Sequence, residues 1–448
     1  MTPGFDRRGF IQTSAAAGLG IALGEAELRA LPFTPRTLPP RPRRPLDTVR
    51  MGFVGVGNQG TGHVRNFARI QNVEIKAICD KTPDHAERSR SWLVENGHPE
   101  PRVYTGAEDY LRLAGEEDLD VIFTATPWEL HAPVLRAALE NGKHGATEVP
   151  LGVSIDELWE LVELSERTGL HCVMMENCCY DRTEMMVLNM VRQGVFGELL
   201  HAECGYLHDL RGLKLSPDYY VDQWRVKHSI TRDGDLYPTH GIGPVAQCFN
   251  INRGNQFEYA VSMGSQTRGL AGWAAEQIGP DSAEALQQYT LSDVVNTLIQ
   301  TTAGQTILVT HDTSTPRPYS RKYLVQGTKG LYRKYPEERV HIEGRDPAHR
   351  WVEGQSYREE FEHPIWKALE EEAQGAGHGG MDYIEDYRLI QTLLAGEPTD
   401  FDVYDAATWS AVITTSEKSI AKRGQPIAFP DFTRGAWPTR EPLGIVTI

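Results

Sequence analysis

The chain of 448 residues contains no apolar run that reaches the roughly 18 residues needed to span a bilayer. Its six cysteines include no CxxC pair and all fall within apparent core segments, which excludes a disulfide framework as the basis of stability. Hydrophobic residues nevertheless make up 40% of the sequence, enough for an ordinary core. We therefore predict a globular protein without a membrane span.

The chain has fewer basic residues than acidic ones. Lysine and arginine number 45 against 61 aspartates and glutamates, so the formal net charge is -16. A surface field of this sign repels phosphate backbones, because nucleic-acid binding depends on lysine and arginine contacts. We expect no nucleic-acid partner, and an acidic surface is too ordinary among soluble enzymes to identify another partner.

Motifs of hydrolytic metal or serine chemistry are missing as well. The sequence has no HExxH, and the adjacent His-Asp pairs at 208–209 and 311–312 lack the spacing of ligands on one helix face. No GxSxG elbow occurs, so acyl transfer at a serine has no support. The pair Cys178 and Cys179 is more typical of packing than of ligation. We predict no metal site.

Residues 1–45 differ in composition from the rest of the chain. The string DRRGFI at 6–11 precedes small and weakly hydrophobic residues from Thr13 to Leu23, the order found in twin-arginine export signals. A Pro- and Arg-rich linker follows at 31–45. We expect the twin-arginine translocase to export the folded chain, which would then be periplasmic or secreted. The alternative is a disordered basic tail.

Residues 46–180 alternate short apolar strands with amphipathic stretches such as Trp128–Asn141 and Asp156–Thr168. This alternation predicts an α/β domain with a doubly wound parallel sheet of the Rossmann type. The expected strands are Arg50–Val56, Val73–Cys79, Asp120–Ala125, His144–Val149 and His171–Met175.

Residues 181–448 read as a substrate-binding α+β domain. Longer strands without regular helices between them predict an open, mostly antiparallel sheet. The stretch Pro364–Lys422 is mostly helical with a break at Gly375–Gly380, and these helices could pack back on the first domain. The expected strands are Leu199–Leu207, Glu258–Ser265, Asp293–Thr302 and Gln305–His311.

The string GVGNQG at 55–60 matches G-x-G-x-x-G between a strand and a helix. Gly55 would permit the tight turn, Gly57 the approach of a pyrophosphate and Gly60 the packing of helix on sheet. Asp80 ends the second strand, where a carboxylate accepts hydrogen bonds from the adenosine ribose and repels a 2′-phosphate, so NAD is favoured over NADP. The alternatives are a plain tight turn and a capping or surface aspartate.

The segment TPWELH at 126–131 follows the fourth strand, at the rim where such sheets bind ligands. Trp128 and His131 could therefore lie near the nicotinamide half of the cofactor. Alternatively, Trp128 only packs against its own helix and His131 belongs to the surface.

Three further segments are distinctive: TEVP at 147–150, ENCCY at 176–180 and GDLYPTHG at 234–241. With the glycine motif and the strings NINRG and HDTSTPRPYSR, they resemble the glucose–fructose oxidoreductase / inositol dehydrogenase superfamily. Within it, the chain resembles glycoside hydrolase family 109, the NAD-dependent α-N-acetylgalactosaminidases. The resemblance extends from about Arg50 to Pro430 and includes the export signal.

The resemblance implies two sets of binding residues in this sequence. For NAD it implies Asn58, Gln59, Asp80, Trp128, Glu129, Leu130, His131, Glu148, Val149 and Asn177. For the sugar it implies Tyr206, Arg225, Tyr237, Pro238, Thr239, His240 and Tyr319.

The resemblance also implies a hydrolysis that begins with oxidation. Hydride leaves C3 of a terminal N-acetylgalactosamine, the C2 proton is removed, the aglycone is eliminated from C1, water adds and the hydride returns. NAD-dependent glycosidases are recognised exceptions to the two-carboxylate scheme. The superfamily usually has Glu-Lys-Pro where this chain has Glu148-Val149-Pro150, a departure that disfavours a standard sugar dehydrogenase.

His240 is our hypothesis for the principal acid/base, because imidazole titrates near neutral pH. Tyr237, Tyr180 and Glu148 are expected to support it by donating to, accepting from or orienting substrate oxygens. His378 lies in a glycine-rich segment and could reach the pocket or cap the next helix.

Several alternatives stay open from the sequence alone. Tyr206 and Tyr319 could be core or interface aromatics, and Arg225 could pair with Asp222. The rival functions are an NAD-dependent sugar oxidoreductase and a non-catalytic sugar-binding protein. The resemblance also implies a possible homo-oligomer assembled through the sheet of the second domain.

Overall fold

The computed structural model describes residues 44–442, so the predicted export signal and nearly all of its linker lie outside the described residues. The first half forms the predicted doubly wound sheet. Its strands are β1 (Val49–Val54), β2 (Val73–Cys79), β3 (Arg102–Tyr104), β4 (Val121–Thr124), β5 (His144–Thr147) and β6 (Cys172–Met174). Its helices are α1 (Asn58–Arg69), α2 (Pro83–Glu95), α3 (Asp109–Glu116), α4 (His131–Glu140) and α5 (Ile155–Thr168).

All six strands pair in parallel, in the order β3-β2-β1-β4-β5-β6. Val54 is in register with Cys79 on one side and with Thr124 on the other, and Thr124 is in register with Thr147. The carboxyl ends of these four strands therefore meet along one edge. Ligands of doubly wound sheets bind at this edge, where the strand order reverses between β1 and β4.

Aromatic packing beneath this edge fixes helix α1 on the sheet. Phe53 of β1, Phe67 of α1 and Phe123 of β4 form a triangle of rings with centroids 5.5–5.7 Å apart. All three side chains are fully buried. Such rings remove large apolar areas from water, and Phe67 meets Phe123 edge to face, so α1 is held with its N-terminus at the carboxyl edge of β1.

The second half contains the predicted open sheet, in the order β14-β13-β12-β11-β7-β10-β9-β8-β15. Every pair is antiparallel except β7 with β10, which is parallel. The strands are β7 (Leu199–Leu207), β8 (Phe257–Gly264), β9 (Val295–Thr301), β10 (Thr306–Asp312), β11 (Leu324–Gly327), β12 (Gly330–Arg333), β13 (Arg339–Ile342), β14 (Val352–Glu353) and β15 (Ile427–Ala428).

The prediction that no regular helices separate these strands is wrong. Between β7 and β8 lie α7 (Arg211–Leu215), α8 (Trp224–Thr231) and α9 (Thr239–Cys248), with α6 (Arg182–Arg192) before β7. Helices α10 (Gly269–Gln277) and α11 (Ala283–Leu286) separate β8 from β9. Glycine and Pro244 in α9 are poor helix formers, and tertiary packing overrides that weak local preference because α9 is almost completely buried.

The C-terminal helices are α12 (Arg358–Phe361), α13 (Pro364–Ala373), α14 (Met381–Ala395) and α15 (Val403–Ala421), with a 3₁₀ turn at Gly377–Gly380 as the predicted break. Helix α14 packs on α1 of the first sheet, whereas α15 packs on both α5 and β8. These helices therefore connect the two halves of the molecule. A buried ion pair between Arg253 and Asp405 fixes the start of α15.

All six cysteines are among the described residues, and each is buried and free. The structure joins no two of them in a disulfide. From residue 44 to residue 442, no helix combines the length and the apolar character needed to cross a membrane.

The closest approach between α9 and β7 supplies a test of the fold. A Cβ added at Gly241 would lie 2.4 Å from the backbone nitrogen of Gly205, so Gly241→Ala forces the helix away from the strand. We expect a loss of about 1–3 kcal/mol in the free energy of unfolding, measured by urea denaturation. The control is Gly62→Ala in α1, which meets nothing within 4 Å and should be neutral or stabilising. Equal stability of the two variants would contradict this packing.

Candidate functional site

A single cavity of about 350 Å³ connects the carboxyl edge of the first sheet with the second half of the molecule. It brings together most of the residues singled out from the sequence. Those that line it are Gly55, Gly57, Asn58, Gln59, Asp80, Trp128, Leu130, His131, Glu148, Val149, Asn177, Tyr206, Arg225, Tyr237, His240 and His378.

The glycine loop has the geometry of a phosphate cradle. Gly55 adopts a φ of +82°, and a Cβ there would lie 2.9 Å from the backbone of Ala125. A Cβ at Gly60 would lie 2.0 Å from the carbonyl oxygen of Gly55, so only glycine lets α1 start this close to β1. No side chain caps the start of α1 at Gly57, which leaves its first N–H groups available to an anion.

Asp80 is fixed at the end of β2. Its Oδ2 accepts a hydrogen bond from the Val56 N–H at 2.8 Å, and its Oδ1 accepts one from the Thr82 N–H at 2.8 Å. The carboxylate thus faces the cavity in one orientation, beside His85. Its position relative to the glycine loop fits the ribose of an adenosine group, and its negative charge is unfavourable for a 2′-phosphate there.

Residues 216–223 of the second half cross over this cofactor groove, and we call them the strap. The Asn58 side chain donates to the carbonyl oxygen of Tyr219 at 3.3 Å, and Lys81 forms an ion pair with Asp222. Asp222 and Gln223 both have positive φ, which turns the chain back into α8. The sequence offered no signal for the strap, because its partners lie more than 140 residues away.

Arg225 lies in a box of aromatic rings rather than in an ion pair with Asp222. Its guanidinium carbon is 4.7 Å from the ring centre of Tyr237 and 5.1 Å from that of Trp128. One guanidinium nitrogen donates to the Tyr220 hydroxyl at 3.1 Å. The buried cation has remaining donors for a substrate oxygen, and the rings provide flat apolar walls.

His240 is paired with a residue that the sequence reasoning missed. Its Nδ1 lies 2.7 Å from Oε1 of Glu176, whose side chain is completely buried. Glu176 therefore fixes the ring, and a ligand in the cavity can use only Nε2. Tyr237 packs edge-on against His240 with ring centres 4.9 Å apart, and burial raises the pKa of Tyr237 well above its ordinary value. Its phenol is thus a hydrogen-bond donor at neutral pH.

His378 reaches the cavity, which resolves the alternative left open by the sequence. Its Nδ1 lies 2.8 Å from Oδ2 of Asp382, and Asn177 donates to Oδ1 of the same carboxylate at 2.8 Å. The hydrogen bond and charge of Asp382 raise the pKa of His378 against the effect of burial. Helix α14 thereby holds one wall of the cavity in place.

The structure corrects the predicted placement of Tyr180. Its hydroxyl donates to Asp400 at 3.1 Å in a separate small cavity that Arg388 also lines, so it cannot reach a ligand in the main cavity. The reason is the 3₁₀ turn Asn177–Tyr180, which directs consecutive side chains to different sides.

Other predicted ligand residues also lie outside the lining. Glu129 pairs with His228 at 3.2 Å, and Pro238 and Thr239 begin α9 behind Tyr237. Tyr319 is half-exposed and contacts the ring of Tyr206. Gly60 allows the start of α1 to pack closely against the glycine loop, as predicted, and this role requires no contact with the cofactor.

One group of potential metal-ligand atoms occurs among residues 44–442, where the sequence predicted none. Glu176, Cys178 and His240 each place one such atom within 4.8 Å of the others. His240 Nδ1 is already bonded to Glu176, and burial raises the pKa of the Cys178 thiol well above its ordinary value. Glu176 and Cys178 are separated by one residue, and His240 lies far from both in the sequence. This spacing matches no metal-binding motif, so the sequence does not reveal the group.

The geometry of Asp80 gives a prediction for cofactor binding. Asp80→Ala removes two hydrogen bonds that shape the loop, and it also removes the acceptor for a ribose hydroxyl. Because hydrogen bonds to a charged group are strong, we expect NAD affinity to fall roughly tenfold or more. The measurement is cofactor fluorescence titration of the refolded apoprotein. Asp84→Ala, an exposed acid in the first turn of α2, is the control and should bind NAD as the parent does. Undiminished binding by Asp80→Ala would contradict the assignment.

Two family models match the chain on either side of this cavity. Residues 49–176 match the oxidoreductase family with an NAD-binding Rossmann fold, and residues 180–439 match the C-terminal domain of glycosyl hydrolase 109. The first match confirms the NAD-binding character predicted from the glycine loop and Asp80.

Solved structures share the fold at low sequence identity. An NAD-binding oxidoreductase from Klebsiella pneumoniae superposes with a TM-score of 0.66 at 16% identity, covering 86% of this chain and 100% of that one. A levoglucosan dehydrogenase in complex with NADH and levoglucosan gives 0.64 at 21% identity, again covering 86% and 100%.

Curated relatives are similar along nearly the whole chain. A glycosyl hydrolase family 109 protein of Shewanella pealeana is 43% identical, covering 98% of this chain and 99% of its own. One of Shewanella amazonensis is 44% identical, covering 99% of both. With the match to the C-terminal domain model, these similarities establish that the chain belongs to glycosyl hydrolase family 109.

Proposed function

We propose that this protein is an NAD-dependent glycosidase that hydrolyses N-acetylgalactosaminides. In this reaction a hydride is transferred from the sugar to NAD and later transferred back. The observation that carries the proposal is the single cavity that joins the glycine loop and Asp80 to Tyr237 and His240. A dinucleotide bound along the carboxyl edge would present its nicotinamide to a sugar held by the second half. Such a cycle has no net redox change, so the cofactor can remain bound.

The bound dinucleotide would supply a hydride acceptor at C3 of the sugar and later return the hydride to the same carbon. With C3 oxidised, the proton at C2 becomes acidic, and a base must remove it while the aglycone leaves C1. His240 suits that role because Glu176 fixes its ring and leaves Nε2 toward the cavity. Tyr237 suits donation to a substrate oxygen, since its phenol stays protonated.

Arg225 and the surrounding rings suit the recognition of the sugar. A buried guanidinium with free donors can hold hydroxyl or acetamido oxygens, and Trp128, Tyr206 and Tyr237 offer faces for stacking. The strap covers the cofactor groove and would slow cofactor exchange. Retention of the cofactor would favour a closed redox cycle over a dehydrogenase, which must exchange NADH after every turnover.

We also propose export through the twin-arginine route. The support is the order of Arg7-Arg8, the apolar run from Thr13 to Leu23 and a linker before the fold. Loading of NAD before translocation would explain why a cofactor protein uses a route for folded chains. Replacing both arginines, R7K with R8K, should leave the full chain in the cytoplasm in a fractionation assay. Normal export of that variant would exclude this route.

His240→Ala gives a direct test of the catalytic proposal. General acid–base groups contribute about 10²–10⁴-fold to rate, so we expect a loss of that size while bound NAD is retained. The measurement is release of a chromophore from an N-acetylgalactosaminide without added cofactor, with NAD content determined after denaturation.

The same assay separates the rival functions. Chromophore release by the parent protein without added NAD supports hydrolysis, whereas accumulation of NADH with a free sugar supports an oxidoreductase. Glu176→Gln serves as a matched variant, because it keeps the shape beside His240 and removes the charge that orients it. Full activity of His240→Ala would contradict the assignment.

A further inference from the structure

His63 is a completely buried histidine of α1 whose two ring nitrogens both face carboxylates. Nε2 lies 2.9 Å from Oε1 of Glu148, and Nδ1 lies 2.9 Å and 3.0 Å from the two oxygens of Asp386. Each carboxylate is an acceptor, so the ring satisfies both only when both nitrogens carry protons. The arrangement is therefore a carboxylate–imidazolium–carboxylate unit.

Further contacts hold the members of this unit in place. The His63 ring packs against Phe123 with centres 4.6 Å apart, and the Asn66 side chain donates to Asp386 at 3.1 Å. Asp386 lies on α14 and is completely buried. Packing of α14 on α1 is thus what places a fixed cation directly behind Glu148, and neither element could do so alone.

The charges act in a consistent direction. Burial would lower the pKa of His63, but Asp386 and Glu148 outweigh it and hold that pKa well above its ordinary value. Burial would raise the pKa of Glu148, but the hydrogen bond and charge of His63 bring it below its ordinary value. Burial raises the pKa of Asp386 to about 6, so it is ionised at neutral pH beside the imidazolium. Glu148 is consequently a carboxylate over the neutral range.

From its place in the cavity, we expect Glu148 to lie beside the hydroxyl under oxidation. Asp80 marks the adenosine end of the groove at β2, so a dinucleotide that crosses the switch point between β1 and β4 brings its other half toward the end of β5. Glu148 directly follows β5 and lines the cavity. Within residues 44–442, the second oxygen, Oε2, accepts a hydrogen bond only from the adjacent Val149 N–H, at 3.2 Å, which leaves lone pairs for a substrate proton.

We propose that His63 is a positioning residue that, backed by Asp386, holds Glu148 ready to accept the proton of the sugar hydroxyl being oxidised. With a dinucleotide bound as hydride acceptor, the C–H bond would give up its hydride while the O–H bond gives up its proton to Glu148, leaving a ketone. On return of the hydride, Glu148 gives the same proton back. No other oxidant or proton source is needed.

Other ionisable groups also face this unit, from every element packed around it. They include the carboxyls of α14, the histidine that starts α4 and the catalytic candidates of the second half. These groups are Asp382, Glu385, His131, Tyr237, His240 and His378. No hydrogen bond joins any of these six side chains to Glu148 in the part of the chain that the structure describes, whereas His63 is bonded to it directly.

The test rests on the proposed function and uses the full-length holoenzyme. In His63→Gln the cation is gone, burial dominates, and the pKa of Glu148 rises. Because the reaction needs ionised Glu148, the acid limb of the kcat profile should move to higher pH by about one unit or more, as removal of a close opposite charge does. Asp386→Asn, which keeps shape and removes charge, should move the limb in the same direction by less.

The readouts are chromophore release and, separately, formation of bound NADH at 340 nm after mixing with free N-acetylgalactosamine. His98→Gln, a histidine stacked on Trp92 outside the cavity, is the control and should keep the parent profile. An acid limb unmoved in both unit variants, with activity lowered equally at every pH, would overturn the role of His63. If the protein forms NADH without hydrolysing the glycoside, and the acid limb still moves in the variants, the glycosidase proposal is refuted and the positioning role of His63 stands.

A parent protein that neither hydrolyses the glycoside nor forms NADH would overturn both ideas. NAD content of each variant, measured after denaturation, separates a lost cofactor from a shifted titration. If His63→Gln does not fold, Asp386→Asn carries the test alone, because Asn can still hydrogen-bond both His63 and Asn66.

Discussion

The in-register pairing of β1 with β2 and β4 is the constraint on which the site depends. Because these strands run in parallel and end together, the glycine loop, Asp80, Trp128 and Glu148 emerge along one edge. Each belongs to a different loop, so the local sequence predicts each group separately and the strand register brings them together. A slip of one residue in this pairing would turn the strand faces over and separate the groups.

The second half completes the site by packing against the first. Helix α14 supplies Asp386 and Asp382 to groups of the first sheet, α9 supplies His240, and the strap covers the cofactor groove. Buried charges are costly unless paired, and each of these acids has a partner across an element boundary. The same contacts therefore stabilise the fold and position the polar groups that line the cavity.

Much of this could be predicted from the sequence, because its signals are local. Alternation of apolar strands and helices identified the first sheet, and the glycine motif with Asp80 identified the cofactor groove. The strings around Asn177, Tyr237 and His240 pointed to the cavity through resemblance, which also implied Arg225. Contacts between residues far apart in the sequence could not be predicted. His63 meets Asp386 across 323 residues, and the direction of the Tyr180 side chain depends on a 3₁₀ turn. The buried helices between β7 and β8 form against their own weak propensity.

The central claim is that hydrogen leaves the sugar and comes back to the same carbon. The most direct measurement is hydrolysis of an N-acetylgalactosaminide carrying deuterium at C3, with the product examined by mass spectrometry and NMR. The account predicts a slower reaction than with hydrogen, deuterium retained at C3 in the released sugar, and exchange at C2 when the solvent is D₂O. Hydrolysis with no isotope effect and no exchange at C2 would contradict it.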